Sequence, residues 1–518
     1  MHTTFVNPTE PERSRRRNSF HPDTLHMSRI WGYYCNCYGT PPDFSTVPRE
    51  FSPSFDFNLS TDYHRSHNGR LTSSRIGVAP HCDVYLFQDR DTVKEVWKKS
   101  ASMCAGKVHV FACKYMFGMK QKTLSLYAAD NSGPFPKPYP GSHVLPENRM
   151  HRILSNGIDK ALTGSGFDPK LQRFKKILVS QVQQQLSSTD EGSIKIDDFH
   201  KFMHHTVGLA IITTIFGPNL TRLNPTFMDD LFEFEHWFPW LAKGVPKFII
   251  PKAYAVRRRL HSHFKRWYAY AREHYTESSI GPDGDEDPFW GSEWMRQRQE
   301  ALHKIGDEDS LAAGDLGVAW ASLSNIVAAS ALMVVHVSQD ATLTDRVRAD
   351  VTSRVTQGPL IDANLKDLSK SPLLSSIYAE TLRLYVQTLT IVSSPLENVS
   401  LGKYWLPKGA LGLVNSDMAH RDNEFWNTKD GLHPLDSFWA ERFIVDPADP
   451  SSGPSRLVPR ESQYEQQEDG KPYFSLKGLE GSWIPYGVES STLKFSPRNL
   501  TLVRATMVLV SLCQNSQL

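Results

Sequence analysis

Glu380 and Arg383 are two charged residues at a spacing that can bring them together. They stand three residues apart in the run SSIYAETLRL, residues 375–384. In a helix this spacing places both side chains on one face. Such a pair is most often an exposed salt bridge, which contributes little to stability. A larger role would require further partners from distant parts of the chain.

The composition of the chain excludes several classes of function. Lys and Arg number 58 against 56 for Asp and Glu, so the net charge of +2 gives no field that would attract nucleic acid. The hydrophobic share of 40% is ordinary for a globular protein. The first 60 residues contain no apolar run close to the ~20 residues that cross a bilayer. We therefore expect a soluble, cytoplasmic protein that binds no nucleic acid.

The cysteines are few and show no metal-binding pattern. The chain has six of them: Cys35, Cys37, Cys82, Cys104, Cys113 and Cys513. None of their spacings is typical of a zinc site, and thinly spread cysteines in a long chain are typical of a reducing compartment. Residues 483–500, which read WIPYGVESSTLKFSPRNL, contain no cysteine. We expect no bound metal.

The hydrophobic pattern predicts a mostly helical protein with a few short strands. Residues 1–70 are rich in Pro, Ser, Arg and His and are expected to be irregular, whereas residues 71–518 are expected to form one domain. Residues 311–337 are apolar and contain no proline, which is typical of a long helix inside a large protein. Residues 277–309 are acidic, contain Gly and Pro, and are expected to be a surface connection. This pattern indicates an α-rich α+β fold.

One aromatic stretch allows two interpretations. Residues 227–242 are strongly aromatic, and Pro246 and Pro251 enclose an apolar segment ahead of an Arg-rich helix at about 252–276. An apolar loop beside a basic helix can contact a membrane surface. It can equally cover an internal pocket. Both interpretations stay open at the level of sequence.

Three segments together carry a resemblance to a known family. Residues 415–422 read NSDMAHRD and residues 436–443 read DSFWAERF. With Glu380 and Arg383, these segments resemble the K helix, the H-R-D segment and the P-E-R-F meander of the cytochrome P-450 family. The resemblance extends over roughly residues 80–510 and implies the cytochrome P-450 fold, which is mostly helical with small β-sheets. It also implies that Arg442 completes a buried structural triad with Glu380 and Arg383.

The long apolar helix adds a second point of resemblance. Residues 320–329 read WASLSNIVAA and resemble the I helix of the branch that includes sterol 7α-hydroxylases, prostacyclin synthase and fungal secondary-metabolism members. In ordinary members of the family an acid or amide followed by Thr delivers protons to iron-bound oxygen. Here the corresponding pair is Asn325 and Ile326. Because isoleucine has no hydroxyl group, the proton relay lacks one member.

The third point of resemblance is also a departure from the family. Pro485, Tyr486 and Gly487 fit the opening of the loop that carries the haem-ligating cysteine in the family. Depending on the alignment, the ligand position falls on Leu493, Lys494 or Phe495. None of these side chains is a thiolate, and Leu and Phe cannot ligate iron. The resemblance therefore predicts the scaffold without its cofactor, and we expect no haem.

Three functions are compatible with these observations. The first is a haem-free catalyst of a non-redox cyclisation, a Diels–Alder or related pericyclic or isomerase step, on a hydrophobic terpenoid or polyketide in fungal-type secondary metabolism. The second is a haem protein with a ligand other than cysteine, through Lys494 or a histidine such as His420, acting as an isomerase, dehydratase or monooxygenase. The third is a non-catalytic protein that binds a hydrophobic ligand.

By analogy with the family, one set of residues is expected to form the site. The hydrogen-bond donors would be Asn325 and Ser324, of which Asn325 is the preferred one. The substrate pocket would be lined by Trp320, Ile326, Thr388, Thr390 and Ile391. The partners expected are a hydrophobic small molecule and no redox protein, and the protein is expected to be a monomer with peripheral membrane contact left open.

Overall fold

The protein is described by a computed structural model in which residues 49–51, 73–79, 82–103, 106–162, 166–187, 196–303, 307–354, 368, 370–458 and 470–486 are placed. Most of the N-terminal segment 1–70 lies outside these described residues. Residues 487–500, including Leu493, Lys494 and Phe495, also lie outside them.

Helices make up most of the described chain, as the sequence predicts. In chain order they are α1 (Arg90–Lys98), α2 (Gly106–Phe111), α3 (Gln121–Ala129), α4 (Met150–Leu162), α5 (Phe167–Ser187), α6 (Phe199–Met203), α7 (Leu209–Phe216), α8 (Pro218–Leu223), α9 (Phe227–Ala242), α10 (Pro251–His274), α11 (Glu293–His303), α12 (Glu308–Ser338), α13 (Ala341–Arg354), α14 (Pro372–Tyr385) and α15 (Ser416–His420). Two π-helical turns, Ala112–Met116 and His204–Gly208, follow α2 and α6 directly.

The strands form small sheets beside the helical body. They are β1 (Arg49–Phe51), β2 (Ser74–Ala79), β3 (Cys82–Phe87), β4 (Leu389–Val392), β5 (Val399–Leu401), β6 (Tyr404–Leu406), β7 (Leu411–Asn415), β8 (Ile444–Val445) and β9 (Tyr473–Phe474). The largest sheet has the order β1-β2-β3-β7-β4, with β3 parallel to β7 and β4 antiparallel to it. The α-rich α+β prediction is therefore confirmed, and β1 is a short regular element inside the segment expected to be irregular.

Helix α12 runs through the main hydrophobic core. Its first turn is capped by Asp307, whose carboxylate accepts hydrogen bonds from the backbone N–H groups of Asp309 and Ser310. Seventeen of its residues are buried, including Leu316, Trp320 and Val327. Within the described ranges it is the one helix long and apolar enough to cross a membrane, and half of its most apolar stretch is buried against the rest of the chain. A core helix of this length meets the same criterion.

Helices α9 and α10 pack against each other and over α12. Buried Phe234 and Phe238 point from α9 into the same core cluster as Trp320. The turn between α9 and α10 is different, because Phe248 is 83% exposed and Ile249 is 59% exposed. The aromatic stretch 227–242 therefore covers the interior, whereas the segment 248–249 projects outward.

The prediction that residues 277–309 form a surface connection is wrong. Helix α11 lies inside this range and buries Trp294, Met295 and Arg298. Arg298 Nε donates to Asp315 Oδ1 of α12 at 2.5 Å. The acidic residues, Gly and Pro on either side of α11 led to the wrong prediction for the whole segment. The helix itself packs on the core through Trp294 and Met295 and through the ion pair of Arg298.

Candidate functional site

A buried charged triad joins α14 to the segment that follows α15. Arg383 donates to Glu380 through Nε at 2.7 Å and through Nη2 at 2.9 Å. Arg442 Nε reaches both carboxylate oxygens, at 2.9 and 3.0 Å. All three side chains are completely buried. The structure thus brings together the three residues that the resemblance assigns to the structural triad.

The arginines of this triad also fix the surrounding backbone. Arg383 donates to the carbonyl oxygens of His420 at 2.9 Å and Leu435 at 2.8 Å. Arg442 donates to the carbonyl oxygen of Asn427. Burial lowers the pKa of Arg442, and the Glu380 carboxylate opposes that effect. The triad therefore organises the chain between α15 and β8 and has no atom left for substrate chemistry.

The residues that precede the segment 487–500 are docked on α14. Trp483 Nε1 donates to the carbonyl oxygen of Ala379 at 3.2 Å. The hydroxyl groups of Tyr486 and Tyr378 are in hydrogen-bond contact. These contacts fix the start of the segment in which the family carries its iron ligand.

His420 is used by the scaffold. Its Nε2 accepts a hydrogen bond from the backbone N–H of Ile484 at 3.0 Å. Burial, followed by the nearby charge of Arg383, lowers the pKa of His420 from 6.5 to about 3. The imidazole is therefore neutral, and the nitrogen that could coordinate a metal is already an acceptor. This arrangement argues against His420 as an alternative iron ligand.

Trp320 and Ser324 lie one turn apart on the buried side of α12. The Trp320 ring stacks on Phe238 with a centroid distance of 3.8 Å and an interplanar angle of 13°. Phe117 follows the first π-helical turn, and its ring centroid lies 6.1 Å from that of Trp320. The aromatic neighbours of Trp320 were missed in the sequence, although the repeated Phe and Trp residues in 227–242 were a signal for them.

Ser324 and Asn325 are in different environments. Ser324 is 9% exposed, and its Oγ has no hydrogen-bond partner in the part of the chain that the structure places. Asn325 is exposed and lies about 140° around the helix from Trp320, since each residue advances about 100°. Ile326 is buried in the main core. Of the two expected donors, Ser324 is therefore the one that shares a face with Trp320.

The three residues expected after the K helix do not form one cluster with Trp320. Thr388 Oγ1 donates to Ser416 Oγ at 3.0 Å. Thr390 is half-buried in β4 and pairs with Val414 of β7. Ile391 packs in the apolar cluster on the large sheet with Ile76, Val84, Leu86 and Leu413. The structure places Thr388 and Ile391 in contacts that hold the sheet and its connection to α15.

Cys113, the cysteine whose side chain the structure describes, is not suited to be a thiolate ligand of haem. Within the placed ranges, no group of three or more His, Cys, Asp or Glu side chains could hold a metal ion. Cys113 is free and buried, and its Sγ lies 3.5 Å from His109 Nε2. Burial raises the pKa of Cys113 to about 12, whereas the family's ligand must be a thiolate. Residues 483–500 add no cysteine.

Comparison with known proteins identifies the family that the chain resembles. Residues 150–442 match the family described as Cytochrome P-450. The chain is 30% identical to the cytochrome P-450 monooxygenase efuG of Hormonema carpetanum over 376 residues, covering 70% of this chain and 66% of efuG. It is 33% identical to the cytochrome P-450 monooxygenase fsoE of Humicola fuscoatra over 361 residues, covering 67% of this chain and 61% of fsoE.

The fold is also similar to that of a solved structure. Retinoic acid bound cyanobacterial CYP120A1 superposes with a TM-score of 0.56 and 13% sequence identity, covering 90% of this chain and 91% of that one. At this level of identity the likeness concerns the fold alone. The chain spans less than two thirds of the length of the two sequence relatives that it matches.

Proposed function

Because the chain belongs to the cytochrome P-450 family, we propose that it uses this fold without haem to catalyse a non-redox cyclisation. The reaction would be a Diels–Alder or related pericyclic or isomerase step on a hydrophobic terpenoid or polyketide in fungal-type secondary metabolism. The observation that carries the proposal is that the segment 483–500 has no cysteine. The use of His420 by the scaffold supports it, because His420 was one of the two alternative ligands, together with Lys494.

The chain offers what such a reaction requires. A cyclisation of one molecule is accelerated chiefly by holding its reacting carbons close together in the correct orientation, which can contribute roughly 7–11 kcal/mol. The aromatic rings of Trp320, Phe238 and Phe117 pack on one another in the main core, and we propose that the hydrocarbon substrate binds next to them. No electron transfer is involved, so the proposal requires no redox partner.

A single hydrogen-bond donor would complete the catalyst. A donor aimed at a substrate carbonyl lowers the barrier by withdrawing electron density from the reacting double bond. Ser324 is the better candidate on position, since its buried Oγ lies on the face of α12 that also carries Trp320. Asn325, the donor preferred from sequence, remains a second candidate on the exposed side of the helix.

The experiment is an assay of the purified full-length chain under anaerobic conditions without NADPH. The substrates are linear terpenoids and polyketides that carry both a diene and an activated alkene, and the readout is the rate of ring formation. We expect acceleration over the uncatalysed reaction. No acceleration, or acceleration that requires both oxygen and NADPH, would contradict the proposal.

Variants of α12 distinguish the candidate donors. Replacing the donor, Ser324→Ala or Asn325→Ala, should lower the rate on the order of 100-fold. Ser322→Ala is the matched control, because its hydroxyl already donates to the carbonyl oxygen of Ala319 at 3.0 Å. If all three variants retain the full rate, the reaction proceeds by orientation alone and neither residue is a donor.

The proposal includes a location and partners. We propose a soluble, cytoplasmic monomer whose partner is its hydrophobic small-molecule substrate. The turn between α9 and α10 supports an added peripheral contact with lipid, because exposed Phe248 and Ile249 stand among Lys243, Lys247 and Lys252.

A further inference from the structure

A polar cleft opens on the surface between the segment that follows α15 and Arg456. Its volume is about 450 Å³, which lies within the usual range for sites that bind small molecules. The polar side chains that line it are Arg421, Asn423, Thr428, Asp436 and Arg456. Two guanidinium groups, one carboxylate, one amide and one hydroxyl group therefore border the same space.

Backbone hydrogen bonds join the two sides of the cleft. The N–H of Asn427 donates to the carbonyl oxygen of Pro454 at 2.9 Å, and the N–H of Arg456 donates to that of Phe425 at 3.0 Å. Asn427 Nδ2 also donates to the carbonyl oxygen of Gly453 at 2.8 Å. The backbone of Arg456 is therefore fixed against the segment that follows α15.

The buried triad supports the inner wall of the cleft. Arg383 Nη2 donates to the carbonyl oxygen of Leu435 at 2.8 Å, and Arg442 Nη2 donates to that of Pro434 at 3.3 Å. Both Pro434 and Leu435 line the cleft. Because this wall is held from inside, the cleft is formed before a ligand binds, and binding costs less conformational entropy.

One wall of the cleft contains a turn with an unfavourable backbone conformation. Lys429, Asp430 and Gly431 have φ angles of 45°, 54° and 91°, and the first two are the only non-glycine residues in the described ranges with positive φ. Contacts enforce this turn, since Lys429 donates through its N–H to Asn427 Oδ1 and through Nζ to Asp449, both at 2.9 Å. Strained turns of this kind cluster at sites that bind ligands.

The two arginines of the cleft have donors to offer to an anion. Arg456 Nη2 donates to the hydroxyl group of Thr428, and no carboxylate in the placed part of the chain forms an ion pair with Arg456. Arg421 donates to Asp417 through Nε at 2.7 Å, whereas its two Nη groups make no hydrogen bond to the placed residues. Guanidinium groups bind phosphate oxygens in a forked, bidentate geometry. The cleft therefore suits a phosphate group.

Asp436 adds a second requirement. It is exposed and borders the same cleft as the two arginines, but it forms no ion pair with Lys or Arg among the residues that the structure places. An ionised carboxylate only accepts hydrogen bonds, so it repels a phosphate beside it and attracts a hydroxyl group. A ligand that satisfies the whole cleft carries a phosphate at one end and hydroxyl groups elsewhere.

We propose that this cleft binds a small phosphate ester of a polyhydroxy compound, either a sugar phosphate or a mononucleotide. Arg421 and Arg456 bind the phosphate, and Asp436 accepts hydrogen bonds from the hydroxyl groups. None of the lining residues belongs to α12 or to the aromatic residues around Trp320. The site is therefore separate from the proposed cyclisation and does not depend on it.

Isothermal titration calorimetry of the full-length protein tests this with ribose 5-phosphate, adenosine 5′-monophosphate, ribose and inorganic phosphate. We expect one ester to bind per chain, inorganic phosphate to bind more weakly because it reaches only the arginines, and ribose not to bind. The ester that binds more tightly identifies the ligand as a sugar phosphate or a nucleotide. Absence of binding by both esters at millimolar concentration overturns the proposal.

Variants of the arginines test where the phosphate binds. Arg456→Gln and Arg421→Gln should each weaken the binding of the esters about tenfold or more, because a charged hydrogen-bond donor is lost. Arg272→Gln is the matched control, since its guanidinium is also partly exposed but pairs with Glu308 in another part of the chain. Thermal unfolding without ligand checks that the variants are folded. Unchanged affinity in both cleft variants overturns the proposal.

Asp436→Asn separates the two ends of the ligand. It should weaken the binding of the esters, because their hydroxyl groups lose a charged acceptor. Inorganic phosphate should bind as well as before or more tightly, because the repulsion from the carboxylate is removed. Weaker binding of inorganic phosphate, or unchanged binding of the esters, contradicts the role assigned to Asp436 and overturns the proposal.

Discussion

At the scale of single residues, the best-defined contacts belong to Glu380, Arg383 and Arg442. Their charges are fully buried and compensate one another. A buried ion pair contributes little net stability when complete, but removal of one partner leaves an uncompensated charge in the interior. These residues were predicted from three short motifs, because the motifs specify both the charges and their partners.

Arg442→Ala should destabilise the protein by about 3–5 kcal/mol, since Glu380 then retains one partner for a carboxylate that needs two. Denaturant unfolding of the purified variant measures this change. The matched control is Arg421→Ala, because Arg421 pairs with Asp417 at 2.7 Å with its side chain 45% exposed. An exposed pair of this kind contributes less than about 1 kcal/mol. Equal losses in the two variants would contradict the assignment of Arg442 to a buried triad.

His420 should make the protein less stable in acid. Its pKa is about 3 in the folded state and about 6.5 in an unfolded chain. Above pH 6.5 both states hold no proton, so there is no effect. Between about pH 6.5 and pH 3 only the unfolded state binds the proton, which lowers the free energy of unfolding by up to about 1.4 kcal/mol per pH unit.

Denaturant unfolding at pH 7, 6 and 5 measures that slope. In His420→Gln the free energy of unfolding should change less with pH, by up to about 1.4 kcal/mol per pH unit. The reason is that glutamine does not titrate. His274→Gln is a suitable control, since His274 is exposed and lies at the end of α10. A slope that is unchanged by His420→Gln would contradict this, because it would show that the imidazole binds its proton equally in the folded and unfolded states.

At the scale of elements, the long helix was predicted well and the environments of its residues were not. The apolar run 311–337 corresponds to α12, residues 308–338, because length and hydrophobicity are properties of the run itself. Which face of the helix is covered depends on α9 and on the two π-helical turns. Both Ser324 and Asn325 were therefore predicted from the sequence as donors. In the structure Ser324 is buried and Asn325 is exposed.

The contacts that join α10, α11 and α12 could not be predicted from the sequence, because they also depend on how distant helices pack. Asp315 accepts hydrogen bonds from Tyr268 at 2.6 Å, Arg298 at 2.5 Å and Gln299 at 2.8 Å. These partners lie 16 to 47 residues away along the chain. No local pattern connects them, so residues 277–309 appeared to be a surface connection.

Asp315→Asn should cost about 3–5 kcal/mol, because Arg298 would keep a buried positive charge without its carboxylate. The comparison is Asp309→Asn on the same helix, where the carboxylate pairs with Lys120 and Lys265 and is 37% exposed. That change should cost less than about 1 kcal/mol. Thermal and denaturant unfolding of both variants provide the measurement, and a small effect at Asp315 would contradict the junction.

At the scale of the whole molecule, the exposed turn between α9 and α10 is the surface that we expect to contact a lipid bilayer. Phe248 and Ile249 are the apolar tip of a surface that carries Lys243, Lys247 and Lys252. Apolar side chains enter the interface of a bilayer, and lysines favour anionic headgroups.

The full-length protein should co-float with vesicles that contain about one third anionic lipid, and Phe248→Ser combined with Ile249→Ser should abolish this. Vesicles of neutral lipid should bind less, because the lysines then contribute no attraction. Leu432→Ser is the control, because Leu432 is also an exposed apolar residue and lies in the segment between α15 and β8. Retention of binding in the double variant would exclude this turn as the contact.

The central claim is that a member of the cytochrome P-450 family works here without haem. The most direct test is the iron content and visible absorption of the full-length protein, purified from cells supplied with a haem precursor and then titrated with haemin. We predict iron far below one atom per chain and no Soret band attributable to a saturable site. Near-stoichiometric iron with a Soret band would contradict the account.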